Sequence, residues 1–206
     1  MNLSIKNKLV LSIGAIILVI TGLQVWYNTT QLRSETQRLI WSFIDDSSIA
    51  NVKGISRWLD ARINLVSATK EAFTKEDEPL SHLAQSMNAG TFDLVSVGTK
   101  DGRMLQSKPT DLPAGYDPRQ RPWYKDATAA GKLAITAPYA DITTGQLIIT
   151  IAEPFSRGNT DGVIAGDVSI DGLVRDVLAM NSEGTYAILV DSNGTIIAHP
   201  DKALAL

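Results

Sequence analysis

The sequence contains no cysteine and only two histidines. Without cysteine, the chain can form neither disulfide bonds nor thiolate-ligated metal sites. His82 and His199 lie far apart in the sequence, so a histidine-ligated metal centre or a Ser-His-Asp triad has little support. We therefore predict that the chain holds no metal and needs no cofactor.

Basic clusters are also scarce. The formal net charge is −3, and no long basic run occurs outside the extreme N-terminus. Nucleic-acid binding needs clustered Lys and Arg to neutralise phosphates, so we expect no nucleic-acid partner. The sequence has neither a nucleophile elbow nor a phosphate-binding loop, and acidic pairs such as Asp45-Asp46 fall on a predicted helix. We therefore predict that the chain is not an enzyme.

An uncharged run, LVLSIGAIILVITGLQVWY, extends from Leu9 to Tyr27. As a helix it is long enough to cross about 30 Å of hydrocarbon. Two lysines precede it, so the positive-inside rule puts residues 1–8 in the cytoplasm and the chain from Asn28 onward outside. The alternative is a cleaved signal peptide, whose apolar core is usually about 7–15 residues and ends at a small-x-small site. This run is longer and has a poor cleavage site at Gln24–Tyr27, which favours an uncleaved anchor.

The segment after the anchor predicts a long amphipathic helix. From Thr29 to Thr74 there is no proline and a single glycine, Gly54. Apolar residues recur mostly at gaps of three, four or seven, which is the helical period. The stripe consists of Leu32, Leu39, Phe43, Ile49, Val52, Ile55, Trp58 or Leu59, Ile63, Val66 and Phe73. We predict a stalk, kinked near Asn51–Gly54, that packs on a domain, on a twin helix in a homodimer, or on both.

Beyond a short helix at Leu80–Met87, the apolar period changes to that of strands. Five antiparallel strands are predicted, separated by turn signals and forming an α+β domain with a central sheet. They are residues 92–97, 103–107, 133–139, 146–155 and 163–170. We also predict a short helix over Lys125–Ala130, and another that starts with Asp171 as its N-cap and continues to Met180.

A second strand–turn–strand pattern follows at Tyr186–Val190 and Thr195–Ala198. It echoes the first hairpin, which suggests two copies of one module. A lone hairpin is not a stable domain, so we expect the given sequence to stop inside its second module.

The segment Tyr116–Tyr124 is dense in aromatic and basic residues. Three aromatics and two arginines lie within nine residues, and two prolines oppose a regular helix. Arginine forks bind carboxylates, and Tyr and Trp offer rigid walls with a polar tip, so the segment predicts a small-anion clamp. The alternative is that the aromatics are core residues and the arginines are solvated.

Together these features resemble the double-Cache extracytoplasmic sensor domain of bacterial transmembrane receptors, most often methyl-accepting chemotaxis proteins. The pattern looks like that of the amino-acid-binding members. The resemblance implies that Arg and Trp bind the ligand's α-carboxylate with help from tyrosines, and that the late Asp binds the α-ammonium. The implied ligand-binding residues are Tyr116, Arg121, Trp123, Tyr124, Tyr139, Asp141 and Asp167.

The chemistry of a free amino acid agrees with this pattern. The carboxylate needs a fork of donors, which Arg121 and the Trp123 indole can supply. The ammonium needs acidic acceptors, which Asp167 and Asp141 can supply. We interpret Arg119 as structural or solvent-facing. A purely structural role stays open for both acids. Asp141 precedes a turn and can be a turn former, and Asp167 lies near a helix start.

One position departs from the family pattern. Many relatives carry an aromatic where this chain has Ser96. A serine would enlarge or polarise that side of the pocket and change which ligand fits.

The resemblance implies an α+β architecture: a transmembrane helix, a stalk helix, a PAS-like antiparallel-sheet Cache module and the truncated start of a second. The predicted ranges are 1–8 cytoplasmic, 9–27 transmembrane, 28–75 long extracytoplasmic helix, 76–181 membrane-distal ligand-binding module and 182–206 start of the membrane-proximal module.

The implied function is chemotactic signal transduction. The sensor would bind an L-amino acid or related amine outside the bacterial inner membrane and act on cytoplasmic signalling partners through a further C-terminal part. We expect a second span after Leu206. The alternatives are the same sensor attached to a histidine kinase or cyclic-dinucleotide enzyme, or a membrane-anchored enzyme.

Overall fold

The computed structural model of the chain describes residues 5–75, 80–157 and 160–178, together with residues 186, 188–190, 194–199, 201 and 204. The chain divides into two compact units, Met1–Ala50 and Asn51–Leu206.

The N-terminal unit is helical. Helix α1 runs from Ile5 to Lys75 and contains one apolar stretch long and hydrophobic enough to cross a membrane. The helix is continuous through Asn51–Gly54, and the kink predicted there stays a prediction. The apolar side chains of the predicted stripe are exposed in this unit, with Leu32 at 68%, Leu39 at 63% and Phe43 at 48%.

The second unit is built around an antiparallel sheet. The strands are β1 Leu94–Thr99, β2 Met104–Gln106, β3 Ala134–Ile135, β4 Tyr139–Ala140, β5 Leu147–Arg157 and β6 Thr160–Ser169. The sheet order is β2-β1-β6-β5-β3, and β4 also pairs with β5. The helices are α2 Leu80–Gly90, a 3-10 turn at Pro118–Gln120, α3 Pro122–Ala130 and α4 Ile170–Leu178. This confirms the α+β class with a long N-terminal helix and an antiparallel sheet.

Three predicted boundaries are corrected. The strand expected over Leu133–Tyr139 is two short pieces, β3 and β4, because Pro138 has no N–H with which to extend the ladder. Helix α3 begins at Pro122 rather than Lys125, since proline suits the first helical position. Helix α4 is capped by Ser169, whose hydroxyl accepts from the Gly172 N–H at 3.2 Å, and Asp171 lies in its first turn. The predicted end at Met180 lies outside the described residues.

The sheet carries side chains of different character on its two faces, because successive strand residues alternate. One face packs against α1, α2 and α4 through Val66, Leu83, Val95, Ile151 and Ile164. The other packs against α3, with Trp123 and Ala127 over Ala152, Val163 and Ala165. Asp167 follows Ala165 at the strand period, so β6 carries its carboxylate on the α3 face.

The last described strands are β7 Leu189–Val190 and β8 Ile196–Ala198. They pair antiparallel, with Leu189 opposite Ala198. The hairpin predicted from the repeated sequence pattern therefore forms, and its turn at residues 191–193 lies outside the described residues.

Candidate functional site

A small cavity opens on the α3 face of the sheet. Six of the seven predicted ligand-binding residues line it: Tyr116, Arg121, Trp123, Tyr139, Asp141 and Asp167. The remaining wall comes from Leu94, Ser96, Met104, Gln106, Leu112, Ile142 and Thr143. Residues that are far apart in sequence therefore meet at one small concave site.

The donor end of the cavity is shaped by the two prolines of the Tyr116–Tyr124 segment. Asp117 caps the 3-10 turn by accepting from the Arg119 N–H at 3.0 Å, and Pro122 starts α3. Trp123, in the first turn of α3, is 3% exposed and lies directly on Gly98 of β1. A Cβ at Gly98 would come within 2.7 Å of the Trp123 ring, so glycine is required for this close approach.

Arg121 is the arginine that faces the cavity. Its Nη2 donates to the Ala140 carbonyl at 3.0 Å, and its guanidinium carbon lies 5.4 Å from the Tyr139 ring centroid. Its other guanidinium N–H groups donate to no described residue. Arg121 therefore keeps donors with which it can bind a carboxylate.

Arg119 is committed elsewhere. It forms a bidentate ion pair with Asp117 through Nε and Nη2, at 2.9 and 2.8 Å, and donates to the Lys100 carbonyl. It does not line the cavity. These contacts agree with its interpretation as a structural residue.

The acceptor end is a buried hydroxyl–carboxylate chain. The Thr150 hydroxyl donates to Asp167 Oδ1 at 2.6 Å, so the Tyr139 hydroxyl, 2.7 Å from Thr150 Oγ1, is left as donor to Thr150. Asp167 is 8% exposed, and its Oδ2 accepts no hydrogen bond from any described residue. One carboxylate oxygen is thus oriented by the protein while the other stays open to a ligand.

Burial dominates the electrostatics of this end. It raises the pKa of Asp167 to about 7, an effect reduced by the Thr150 hydrogen bond and increased by the nearby charges of Asp141 and Asp93. Burial also raises the pKa of the Tyr139 hydroxyl far above its usual range, so that phenol stays protonated. A cation in the cavity would favour the ionised Asp167.

Asp141 combines the two interpretations offered from the sequence. Its Oδ2 accepts from both the N–H and the hydroxyl of Thr144, each at 2.8 Å, which is turn chemistry. The same residue lines the cavity. The turn therefore holds the carboxylate in place beside Asp167, where its charge acts on the site.

Tyr124 is the one predicted residue outside the cavity lining. Its ring packs edge-on against Trp123, with centroids 5.6 Å apart, and close to Gly98. Tyr124 follows Trp123 on helix α3, so its side chain lies on a different side of the helix from the cavity-lining Trp123. Its contacts support the position of Trp123 rather than the ligand space.

Several lining residues were not predicted from the sequence. Thr150, which does not line the cavity but joins Tyr139 to Asp167, was also not predicted. The sequence signal for its burial, though not for its role, was a polar residue that shares a strand face with the apolar Ile148 and Ala152. Ser96 is also buried and lines the cavity, at the position where a departure from related proteins was expected.

Comparisons with known proteins agree with this architecture. The model of the Cache domain family, dCache_1, matches residues 28–206. The chain is 30% identical to the methyl-accepting chemotaxis protein PctB of Pseudomonas aeruginosa, over 98% of this chain and 33% of the relative. It is 31% identical to McpG of Pseudomonas putida, over 100% of this chain and 33% of the relative. The chain spans about a third of the length of these curated relatives.

Solved structures give the same result. The ligand-binding domain of the Pseudomonas aeruginosa chemoreceptor PctC in complex with GABA matches with a TM-score of 0.71 and 33% identity, covering 80% of this chain and 78% of that one. That of the Pseudomonas fluorescens chemoreceptor CtaA with L-alanine matches with a TM-score of 0.69 and 33% identity, covering 80% and 73%. The chain belongs to the dCache family of Cache domains.

Proposed function

We propose that this chain is the extracytoplasmic sensor part of a membrane-bound chemoreceptor and binds a small zwitterion, an L-amino acid or a related amine. The observation that carries the proposal is one cavity with an arginine and indole donor end and a buried carboxylate end. Relatives named methyl-accepting chemotaxis proteins, and similar domains solved with amino acids, support it. The role is one of binding rather than catalysis.

The ligand carboxylate binds Arg121 and the Trp123 indole, with Tyr116 beside them. The ligand ammonium binds the open oxygen of Asp167, assisted by the charge of Asp141. Tyr139 closes the wall between the two ends, and Thr150 keeps the Asp167 carboxylate oriented. Two opposite charges at separate ends fix the ligand's direction, which a single charged contact does not do.

The chain is anchored in the bacterial inner membrane by residues 9–27, with the sensor on the periplasmic side. It forms a homodimer through the N-terminal part of the α1 stripe, where Leu32, Leu39 and Phe43 are exposed in the single chain. Ligand binding shifts the sensor between two states and moves α1 relative to its partner. A methyl-accepting output is favoured by the names of the relatives; a kinase or cyclic-dinucleotide output is the alternative.

The test uses the two arginines as a matched pair. The detergent-solubilised full chain is titrated calorimetrically with L-alanine and other common amino acids. Arg121→Ala should weaken binding about 30-fold or more, because a desolvated charge pair loses one partner. Arg119→Ala should stay within about threefold. Equal effects of the two variants, or no amino-acid binding by the unmodified chain, would contradict the proposed function.

A further inference from the structure

A second and larger cavity adjoins the ligand cavity and indicates which side chain the ligand carries. We call this cavity the side pocket. It shares Asp141 and Asp167 with the ligand cavity and adds Asp93, Lys108, Thr110 and Gln146. Asp167, which binds the ligand ammonium, and Asp141 therefore both stand at the boundary between the cavities.

The direction of the ligand follows from this arrangement. With the carboxylate at Arg121 and the ammonium at Asp167, the ligand's α-carbon lies next to the boundary. The ligand cavity is small and is already shared with the two charged groups, whereas the side pocket is larger and begins at Asp167. A long side chain is accommodated by extending into the side pocket.

The charges of the side pocket are predominantly acidic. Asp93, Asp141 and Asp167 outnumber Lys108, the one cation among the described residues that line the side pocket, and the side chains of Asp93 and Lys108 are both exposed to solvent. Hydrogen bonds hold two of these carboxylates in place. Asp93 Oδ2 accepts from the Ser169 N–H at 2.5 Å, and Asp141 accepts from Thr144. Once the ligand ammonium has neutralised Asp167, two positioned carboxylates remain for a second cation.

The charge of Asp93 reaches the ligand site. It raises the pKa of Asp167, as the charge of Asp141 does, so both carboxylates act on the same buried space. Asp167 is more than nine-tenths buried, and its Oδ2 accepts no hydrogen bond from the described residues. That oxygen can therefore still bind a cationic group of a ligand. The acids thus border a space into which a buried, incompletely bonded carboxylate points.

We propose, building on the proposed function, that the preferred ligand is an L-amino acid with a basic side chain, and that its second cation binds between Asp93 and Asp141 in the side pocket. Arginine, lysine and ornithine have the required length and charge. An acidic side chain would meet like charge there and bind more weakly.

Calorimetric titration of the detergent-solubilised full chain compares L-arginine with L-citrulline, which has nearly the same shape but no side-chain charge. L-Arginine should bind about five- to tenfold more tightly. Asp93→Asn, which keeps an acceptor for the Ser169 N–H, should reduce that ratio to about twofold. The matched control Asp111→Asn, an exposed acid that lines neither cavity, should leave the ratio unchanged.

The outcomes separate this inference from the function on which it rests. Equal affinity for L-arginine and L-citrulline, with L-alanine or other neutral amino acids bound and lost in Arg121→Ala, overturns the basic-ligand inference alone. A ratio that is the same in Asp93→Asn and the unmodified chain also overturns it. Failure of every amino acid to bind overturns both.

Discussion

At the scale of single residues, the feature that most affects ligand binding is the buried acid Asp167. Its pKa is raised to about 7, chiefly by burial. Near neutral pH it is therefore partly protonated, and a protonated carboxyl group cannot form an ion pair with an ammonium. Ligand binding should thus be linked to the release of a proton.

We predict that the affinity for an amino acid rises about tenfold between pH 6 and pH 8, because the ammonium favours ionised Asp167 and must displace its proton at the lower pH. Titrations in buffers of different ionisation enthalpy should show proton release at pH 6 and little at pH 8. An affinity that is constant over this range would contradict the prediction. The stability of the ligand-free chain has the opposite pH dependence. Because the pKa of folded Asp167 lies above the ordinary 3.8, the free energy of unfolding should fall as the pH rises from about 4 to 7.

Ser96 shows how one residue alters the pocket without adding a charge. It lies on β1 opposite Ala165 of β6, and it is 1% exposed. An aromatic side chain at this position would project from the same strand face into the cavity beside Asp167. The serine leaves room there, which suits a ligand that fills both the cavity and the side pocket.

At the scale of elements, a polar cluster around the buried Arg62 joins α1 to α4. Arg62 on α1 is 7% exposed, and its Nη2 donates to Asp176 of α4 at 3.2 Å and to the Thr91 hydroxyl at 2.6 Å. Trp58 donates to the same Asp176 carboxylate oxygen at 2.6 Å, and the Arg62 guanidinium lies 3.8 Å from its ring centroid. The cluster attaches the long helix to the helix that follows the Asp167 strand.

Disrupting this cluster should lower the free energy of unfolding by a measurable amount. Asp176→Ala removes the carboxylate that serves both Trp58 and Arg62, and leaves the guanidinium buried without its counter-ion. Since Asp176 is partly exposed, we predict a loss of about 1–2 kcal/mol in the free energy of unfolding. Denaturant titration followed by tryptophan fluorescence measures it. Asp126→Ala, an exposed acid on α3, is the control and should change stability by less than about 0.5 kcal/mol.

A short backbone segment connects this cluster to the ligand site. Thr91 has a φ of +50°, an uncommon value for a residue other than glycine. Two residues later, the Asp93 N–H donates to the Asp167 carbonyl at 2.9 Å. The segment therefore contacts α1 at one end and the ligand-binding strand at the other, which makes it a physical route between site and helix.

At the scale of the whole molecule, the exposed apolar stripe of the N-terminal unit supports the proposed homodimer. Leu32, Leu39 and Phe43 lie seven and four residues apart and share one side of the helix. An isolated stripe of this kind in water is costly, so pairing with a second copy would bury it. Because the chain has no cysteine of its own, a single cysteine introduced on the stripe can form a disulfide only with the same position of a second copy.

We predict that Leu39→Cys forms a disulfide-linked dimer when membranes containing the full chain are oxidised. Gln37→Cys, placed towards the opposite side of the same helix, is the control and should crosslink several-fold less. Similar crosslinking of the two variants would show that the stripe does not form the interface.

Most helices and strands of this protein, and part of its candidate site, could be predicted from local sequence patterns. The uncharged run, the helical stripe, the alternating strands and the Arg121–Trp123 spacing are each encoded within short segments, so they could be predicted from residues alone. Periodicity could not place Tyr124, because its side depends on α3 starting at Pro122. It also could not find the role of Thr150, which depends on β5 lying opposite Asp167 of β6.

The sequence by itself determined the uncharged run that is long enough to cross a membrane, the α+β class, and the residue types that can bind a zwitterion. Only the tertiary structure decided that Tyr124 lies outside the cavity lining, that Tyr139 reaches Asp167 through Thr150, and that a side pocket with Asp93 adjoins the site. The physical reason is register: strands β1, β5 and β6 come from distant parts of the chain, and their alignment sets which side chains share a buried space.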